Sequence, residues 1–138
     1  PGLAKPWDQK IWNLAGQTVS LNQIEHERVR PVFQEPRIHW ALVCAAYSCP
    51  PLRAEAYTSN QLEAQLVDQE RRVLLADDPR FVRVSGDSIQ VTQLFNWYGD
   101  DFGDWQQYVT QRLNPPKPNY NGFITYDWQL NAKPNRPQ

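Results

Sequence analysis

The chain has few of the residues that most often carry chemistry: two cysteines, two histidines and no methionine among 138 residues. Two thiols spaced C-x4-C and two distant histidines do not make a zinc motif. No Gly-rich loop is present to cradle a phosphate. No apolar run approaches the roughly 18 residues that span a bilayer. We therefore expect no metal, no cofactor and no membrane span.

The chain also lacks an excess of charge of either sign, since it contains 14 Lys and Arg and 15 Asp and Glu. No basic run stands out, so a nucleic-acid partner is not expected. What the chain does have is 41% hydrophobic residues, including six Trp, six Tyr and five Phe. This composition is typical of a globular protein with a core of its own. We predict one domain over residues 1–138, with a loose tail over 132–138.

The helix predicted over LNQIEHERVR supplies the first polar candidate. Ser20 and Gln23 form a capping-box pattern at its start, and Pro31 is expected to end it. Glu25 falls on the apolar side of this helix, where a carboxylate is costly unless it is paired. Either Glu25 pairs with Arg28 three residues further on, or it points into a polar site.

The apolar run RIHWALVC, residues 37–44, predicts a strand buried on both faces. His39 is a polar ring on that strand, and Cys44 at its end is expected to be a small buried hydrophobe. Cys49 stands directly before Pro50-Pro51. Because proline is favoured in the first turn of a helix, we expect a short helix with Cys49 at its N-cap. There the helix dipole and backbone N–H groups would lower the pKa of the thiol and hold an oxyanion.

The rest of the chain is a mixture of helices and strands. A capping-box pattern at Thr58 and Gln61 predicts a helix, and RFVRVSGDSIQVTQ predicts a hairpin that turns at Gly86-Asp87. Two short helices around Gly99 and a last strand over FITYDWQLN follow. Without a strict βαβ rhythm, the order indicates an α+β fold, with a mixed or antiparallel sheet packed against helices.

A thiol, an imidazole and a carboxylate within 25 residues indicate a cysteine enzyme. In this interpretation Cys49 is the nucleophile and His39 is the base, with His26 as the substitute. The imidazole would be oriented by Glu25 or by Asp127. The predicted reaction is hydrolysis or transfer at an amide or thioester.

The alternative is a binding module without catalysis. Its buried polar network would consist of Glu25, His26, Arg30, His39 and Arg53. The aromatic residues Trp97, Tyr98 and Trp128 would line a groove for a small molecule or peptide. A disulfide between Cys44 and Cys49 is a third role, which the C-x4-C spacing allows in an exported chain.

Four stretches in this order resemble a known family: SLNQIEHERVRP, RIHWALVCAAYSCPPLRAEAY, LFNWYGDDF and ITYDWQLN. The family is the domain of unknown function 547, which has no established activity. Trp40 stands where that family usually has Phe, and Arg28 stands where an aliphatic residue is usual, whereas Arg30 fits the family's Arg. The resemblance puts the candidates in motif positions, among them Glu25, His26, His39, Cys49 and Arg53.

The same resemblance implies properties of the whole protein. Bacterial members are often exported, so a periplasmic or extracellular location is expected. The family usually begins earlier, with a helix that this chain lacks. We therefore expect a fragment, whose missing N-terminal segment completes the domain as a partner. The order of His before Cys resembles permuted papain-like enzymes.

Overall fold

A computed structural model describes residues 5–114, 116 and 119–132 of the chain. By its contacts the chain divides into two compact units, residues 1–36 and 37–138. Of the helices in the described ranges, none is both long and apolar enough to cross a membrane. Except for Ala132, the predicted loose tail lies outside the described residues.

The first unit begins with a 3-10 turn, Pro6–Asp8, and a small hairpin. The hairpin consists of β1, Trp12–Leu14, and β2, Gln17–Val19, which pair antiparallel. Ala15 and Gly16 turn the chain with φ values of 50° and 80°, the left-handed geometry of a two-residue hairpin loop. Ala15-Gly16 is thus the two-residue loop that joins β1 to β2.

A continuous helical stretch follows, made of α1, Leu21–Gln23, a π-helical segment, Ile24–Val29, and α2, Arg30–Phe33. The predicted capping box is confirmed, because Gln23 N–H donates to Ser20 Oγ at 3.1 Å and the Gln23 side chain accepts from Ser20 N–H. The prediction that Pro31 ends the helix is wrong, since the chain stays helical beyond it. A widened π-helical turn accommodates a proline ring, which would clash with the preceding turn of an α-helix.

The second unit opens with a single helical turn, α3, Ile38–Ala41, where the sequence predicts a strand over 37–44. That prediction is wrong, although the run is buried as expected at His39 and Trp40. A strand would point these neighbouring side chains to opposite faces, whereas a helical turn directs both into one interior. A short apolar run does not distinguish these two solutions.

The next helix is α4, Leu62–Leu74, which buries Leu66, Val73 and Leu74, whereas Leu62 is 44% exposed. The predicted capping box is wrong, because Gln61 stands at the N-cap without a side-chain hydrogen bond. Instead, the buried Gln65 side chain accepts from Thr58 N–H at 3.0 Å. This hydrogen bond attaches the second turn of the helix to the preceding loop.

A three-stranded sheet consists of β3, Val82–Ser85, β4, Ser88–Thr92, and β5, Asn119–Ile124. The first two form the predicted hairpin around Gly86-Asp87, and β5 pairs parallel with β4. The predicted bounds of the last strand, residues 123–131, are wrong. The part of this stretch after Ile124 leaves the sheet, and its Leu130 bridges to Ala46 instead.

Two short helices stand around Gly99 as predicted: α5, Leu94–Tyr98, and α6, Trp105–Thr110, with a 3-10 turn between them. Their aromatic rings build the core with α3. The ring centroid of Phe95 lies 5.4 Å from that of Trp40 and 4.8 Å from that of Phe102. This packing holds α3, and with it His39, against α5.

The predicted α+β class is confirmed, and so is the mixed sheet packed against helices. One domain over residues 1–138 and the papain-like arrangement stay predictions.

Candidate functional site

The two thiols lie against each other without being bonded. The Sγ atoms of Cys44 and Cys49 are 2.9 Å apart, and both cysteines are free. Cys44 N–H also donates to Cys49 Sγ at 2.8 Å. Cys49 is only 5% exposed, whereas Cys44 is half-buried. The thiol pair, Cys44 and Cys49, therefore has one accessible member and one buried member.

The loop between the cysteines is fixed to the segment of residues 127–131. Tyr47 N–H donates to Gln129 O at 2.8 Å, and Ser48 N–H donates to Asp127 O at 3.2 Å. Ser48 Oγ returns the contact by accepting from Asp127 N–H at 2.9 Å. Hydrogen bonds donated from both segments thus fix the loop, and with it the two cysteines at its ends.

The predicted short helix after Cys49 is wrong, because residues 50–57 are irregular. Side chains of α4 hold this stretch instead: Gln69 Nε2 donates to Pro51 O at 2.5 Å, and Arg53 donates to Asp68 at 2.6 Å. Without a helix start, no helix dipole acts on the Cys49 thiol. Any activation of a thiol must come from its other neighbours.

Contact between the two thiols shifts the pKa values of both, in opposite directions. A hydrogen bond with Cys49 outweighs burial and, with the Tyr126 hydroxyl, lowers the pKa of Cys44 from 9.0 to about 5. The hydrogen bond with Cys44, followed by burial, raises the pKa of Cys49. The contact therefore favours one proton shared by the two sulfurs, with the lower pKa at Cys44.

An exposed aromatic cluster of Trp97, Tyr126 and Trp128 lies beside the thiol pair. Tyr126 Oη is 3.5 Å from Cys44 Sγ, and the Tyr126 ring centroid is 4.5 Å from that of Trp128. The indoles stack on each other at 5.5 Å. Trp97 is 42% exposed and Trp128 is 67% exposed. The aromatic cluster thus offers apolar surface to solvent next to the half-buried thiol.

His39 is held by a carboxylate that the sequence analysis does not single out. Its Nε2 lies 2.7 Å from Asp101 Oδ2, and its ring stacks on Tyr98 with a centroid distance of 4.1 Å. The imidazole is buried, at 3% exposure. Within the described ranges, the hydrogen-bond partners of the two sulfurs include no histidine.

Two further predicted residues have contacts that support the loops. Asp127 Oδ1 accepts from Gln129 N–H at 2.9 Å, which closes a turn in the C-terminal segment. The Arg53 side chain, 8% exposed, lies between Asp68 and Glu55 and docks the loop on α4. These contacts account for the position of both residues in the fold.

The remaining candidates lie in the first unit. Arg30 Nη1 is 3.0 Å from His26 Nδ1 on an exposed part of the helix. Of the two alternatives for Glu25, the pair with Arg28 is not formed in the described structure, where Arg28 donates to Gln17 Oε1 instead. The functional roles of Glu25, His26 and Arg30 stay predictions.

Sequence reasoning misses Asp101 and Tyr126 and treats Cys44 only as a hydrophobe or a disulfide partner. Both missed residues lie in stretches that the family resemblance quotes, YGDDF and ITYDW. Their partners are 62 and 82 residues away in the chain, so no local pattern points to these contacts. In the part of the chain that is described, no group of three or more His, Cys, Asp or Glu side chains could hold a metal ion.

Comparison with protein families gives a match. A family model described as a protein of unknown function, DUF547, matches residues 3–74, more than half of the chain. This range includes both cysteines and both histidines, whereas the LFNWYGDDF and ITYDWQLN stretches lie beyond it. No curated protein and no solved structure matches the chain. The chain therefore belongs to the DUF547 family of proteins of unknown function.

Proposed function

We propose that the protein is a cysteine-dependent enzyme that hydrolyses or transfers an acyl group, with Cys44 as its nucleophile. The observation that carries the proposal is the position of Tyr126. Its hydroxyl contacts the Cys44 sulfur, and its ring contacts the exposed indoles of Trp97 and Trp128. A substrate whose apolar part lies on the aromatic cluster would bring its carbonyl carbon close to the thiolate.

The thiol pair supplies the nucleophile without an imidazole in contact with it. The Cys44 thiolate attacks the carbonyl carbon of an ester, thioester or amide, and the leaving group departs with a proton. We assign the donation of this proton to Cys49, whose sulfur lies 2.9 Å from that of Cys44. Water or a second acceptor then takes the acyl group from Cys44.

His39 keeps the role of base in this proposal, with Asp101 in place of Glu25 as the carboxylate that orients it. Its task would be to activate the water that releases the acyl group, because the thiolate needs no base. Cys49, which the sequence suggests as the nucleophile, becomes the proton donor.

The proposal is tested by treating the full chain with p-nitrophenyl acetate and measuring both nitrophenol release and the intact mass. We expect a burst of nitrophenol, an acetyl adduct of about 42 Da on Cys44, and slower continued turnover. Cys44→Ser is expected to abolish the burst and the adduct. His39→Gln is expected to keep the burst and to slow the continued turnover.

The chain unfolded in urea is the control for ordinary thiol reactivity. If the native chain acylates no faster than the unfolded chain at pH 7, the activated thiolate is excluded. An adduct on Cys49 alone would refute Cys44 as the nucleophile. A burst without continued turnover would refute a hydrolase and leave acyl transfer, which an added amine or thiol acceptor would then have to restore.

A binding module without catalysis is the second candidate. It is favoured by the absence of a histidine among the hydrogen-bond partners of either sulfur in the described structure. This candidate is supported if the apolar dye N-phenylnaphthylamine binds equally well to the wild type and to Cys44→Ser, while no ester is turned over. Loss of dye binding in Trp128→Ala would locate the bound dye at the aromatic cluster.

A further inference from the structure

We propose a second activity for the thiol pair, which goes beyond acyl transfer: thiol–disulfide exchange with the disulfide of a small thiol. The substrate class is a low-molecular-weight disulfide such as glutathione disulfide. The exchange passes through a mixed disulfide on Cys44 and ends in a disulfide between Cys44 and Cys49. Acyl transfer needs one thiol, whereas this activity needs both.

The positions of the two sulfurs suit this reaction. A disulfide bond is about 2.0 Å long, and it forms only where the Cβ atoms of the two cysteines lie close together. The two Sγ atoms already lie 2.9 Å apart, so bonding them needs a movement of roughly one ångström. The loop between them is fixed through Tyr47 and Ser48 to residues 127–131, which keeps the two cysteines next to each other.

The unequal burial of the two sulfurs assigns their roles. Cys44 is half-buried and borders the exposed aromatic cluster, so a small disulfide can reach it from solvent. Cys49 is only 5% exposed, so an external disulfide reaches it poorly. Cys49 nevertheless touches the one sulfur that it must attack to resolve a mixed disulfide.

The exchange balances in two displacements. First, the Cys44 thiolate attacks one sulfur of RSSR, a bond to that sulfur forms, the S–S bond breaks, and RS⁻ leaves. Second, Cys49 gives its proton to the departed thiolate or to water, and its sulfur attacks Cys44, which releases the second RS⁻. The protein dithiol loses two electrons and the small disulfide gains them. Excess RSH reverses both steps.

A purely structural bridge explains the arrangement less well. The stabilisation that a disulfide gives the folded state grows with the length of the loop it closes. Here the loop between Cys44 and Cys49 contains only four residues, and backbone hydrogen bonds already fix it. A bond between these sulfurs would therefore add little restraint to a loop that hydrogen bonds already fix.

The test uses the full chain in its reduced form, mixed with glutathione disulfide at pH 7, quenched with acid and measured by intact mass. The wild type is expected to lose about 2 Da, for two hydrogens, without accumulating an adduct. Cys49→Ser is expected to stop at a glutathione adduct of about 305 Da on Cys44. Cys44→Ser is expected to react at least about tenfold more slowly than the wild type, because Cys49 is buried.

Two measurements on the wild type keep the test independent of how the variants fold. The native chain should be oxidised at least about tenfold faster than the chain unfolded in urea, since only the native chain holds the lowered thiol pKa. Millimolar reduced glutathione should then return the native disulfide to the dithiol. Equal rates in the native and unfolded chains would overturn the proposal, and so would a native disulfide that reduced glutathione does not open.

Failure of exchange and failure of acyl transfer give different results. Acyl transfer is scored by an acetyl adduct of about 42 Da, and exchange by an adduct of about 305 Da or a loss of about 2 Da. A chain that acylates Cys44 but whose Cys49→Ser variant accumulates no glutathione adduct would refute exchange alone.

Discussion

The sulfur of Cys44 lies 2.9 Å from the sulfur of Cys49, and Cys44, the less buried member of the pair, has the lowered pKa. Two thiols at this distance cannot ionise independently, because a negative charge on one sulfur favours a proton on the other. The pair thus produces a thiolate at neutral pH from two residues that would each be protonated alone. A helix dipole and an adjacent imidazole, the usual means of activating a thiol, are not needed for this effect.

Cys44 is expected to react with iodoacetamide at low pH. With its pKa lowered to about 5 by the hydrogen bond with Cys49, the rate should rise through pH 5 and stay level to neutral pH. Peptide mapping after labelling at a series of pH values measures this midpoint for Cys44. A midpoint near the ordinary value of 9.0 would contradict the proton sharing between the thiols.

The thiol pair should also make stability depend on pH in a specific way. Between about pH 5 and pH 9 the folded pair holds one proton and the unfolded pair holds two, so stability rises with pH. Above about pH 9 the unfolded pair loses both protons while Cys49 keeps its own, so stability falls. The hydroxyl of Tyr126, whose pKa is raised by burial, stays neutral throughout.

This dependence is measured by urea unfolding of the wild type and of the double variant Cys44→Ser, Cys49→Ser. The difference in the free energy of unfolding should peak near pH 9, where both ordinary thiols titrate. A difference that does not change with pH would show that the two thiols titrate in the folded chain as they do in the unfolded chain.

Loss of the Asp101 carboxylate should destabilise the second unit. Asp101→Asn keeps the size of the side chain but removes the charge that pairs with the buried His39 ring. A hydrogen bond to a charged group contributes about 1.5–3 kcal/mol, so we expect a loss of that order in urea unfolding. The neighbouring Asp100→Asn is the matched control, because Asp100 is exposed, and it should change stability by less than about 0.5 kcal/mol.

Phe95 should be among the most sensitive positions of the core. It is 1% exposed and contacts the rings of Trp40, Phe102 and Trp105. Phe95→Ala should therefore cost about 3–5 kcal/mol in the free energy of unfolding. Phe33→Ala is the control for the same substitution at a side chain that is 68% exposed, and little change is expected there. Similar losses at both positions would contradict the described core.

Trp97 should matter for ester turnover if the aromatic cluster binds the acyl group. Aromatic contacts contribute about 0.5–1.5 kcal/mol each, so Trp97→Ala should lower kcat/KM for p-nitrophenyl butyrate roughly two- to tenfold. Trp7→Ala is the control, because Trp7 is 41% exposed against 42% for Trp97 and lies outside the aromatic cluster. An equal effect of both substitutions would remove the aromatic cluster from the site.

The sequence predicts most elements where local chemistry is decisive. The capping box at Ser20 and the hairpin at Gly86-Asp87 are confirmed, because caps and tight turns depend on residues three or four positions apart. The strand predicted over 37–44 is wrong, since an apolar run predicts burial but not which backbone will bury it. The helix predicted at Cys49 is wrong for a related reason. The backbone of that stretch is held by a hydrogen bond from α4, which lies far from it in the sequence.

By itself, the sequence determined the α+β class, the short span that holds both thiols, and the resemblance to a family that matches more than half of the chain. These properties depend on composition, local periodicity and motif order, all of which are visible in the sequence without a structure. Only the tertiary structure decided that Asp101 holds His39 and that Tyr126 lies against Cys44. Such contacts join residues far apart in the chain, and they exist only once the core has packed and fixed their distance.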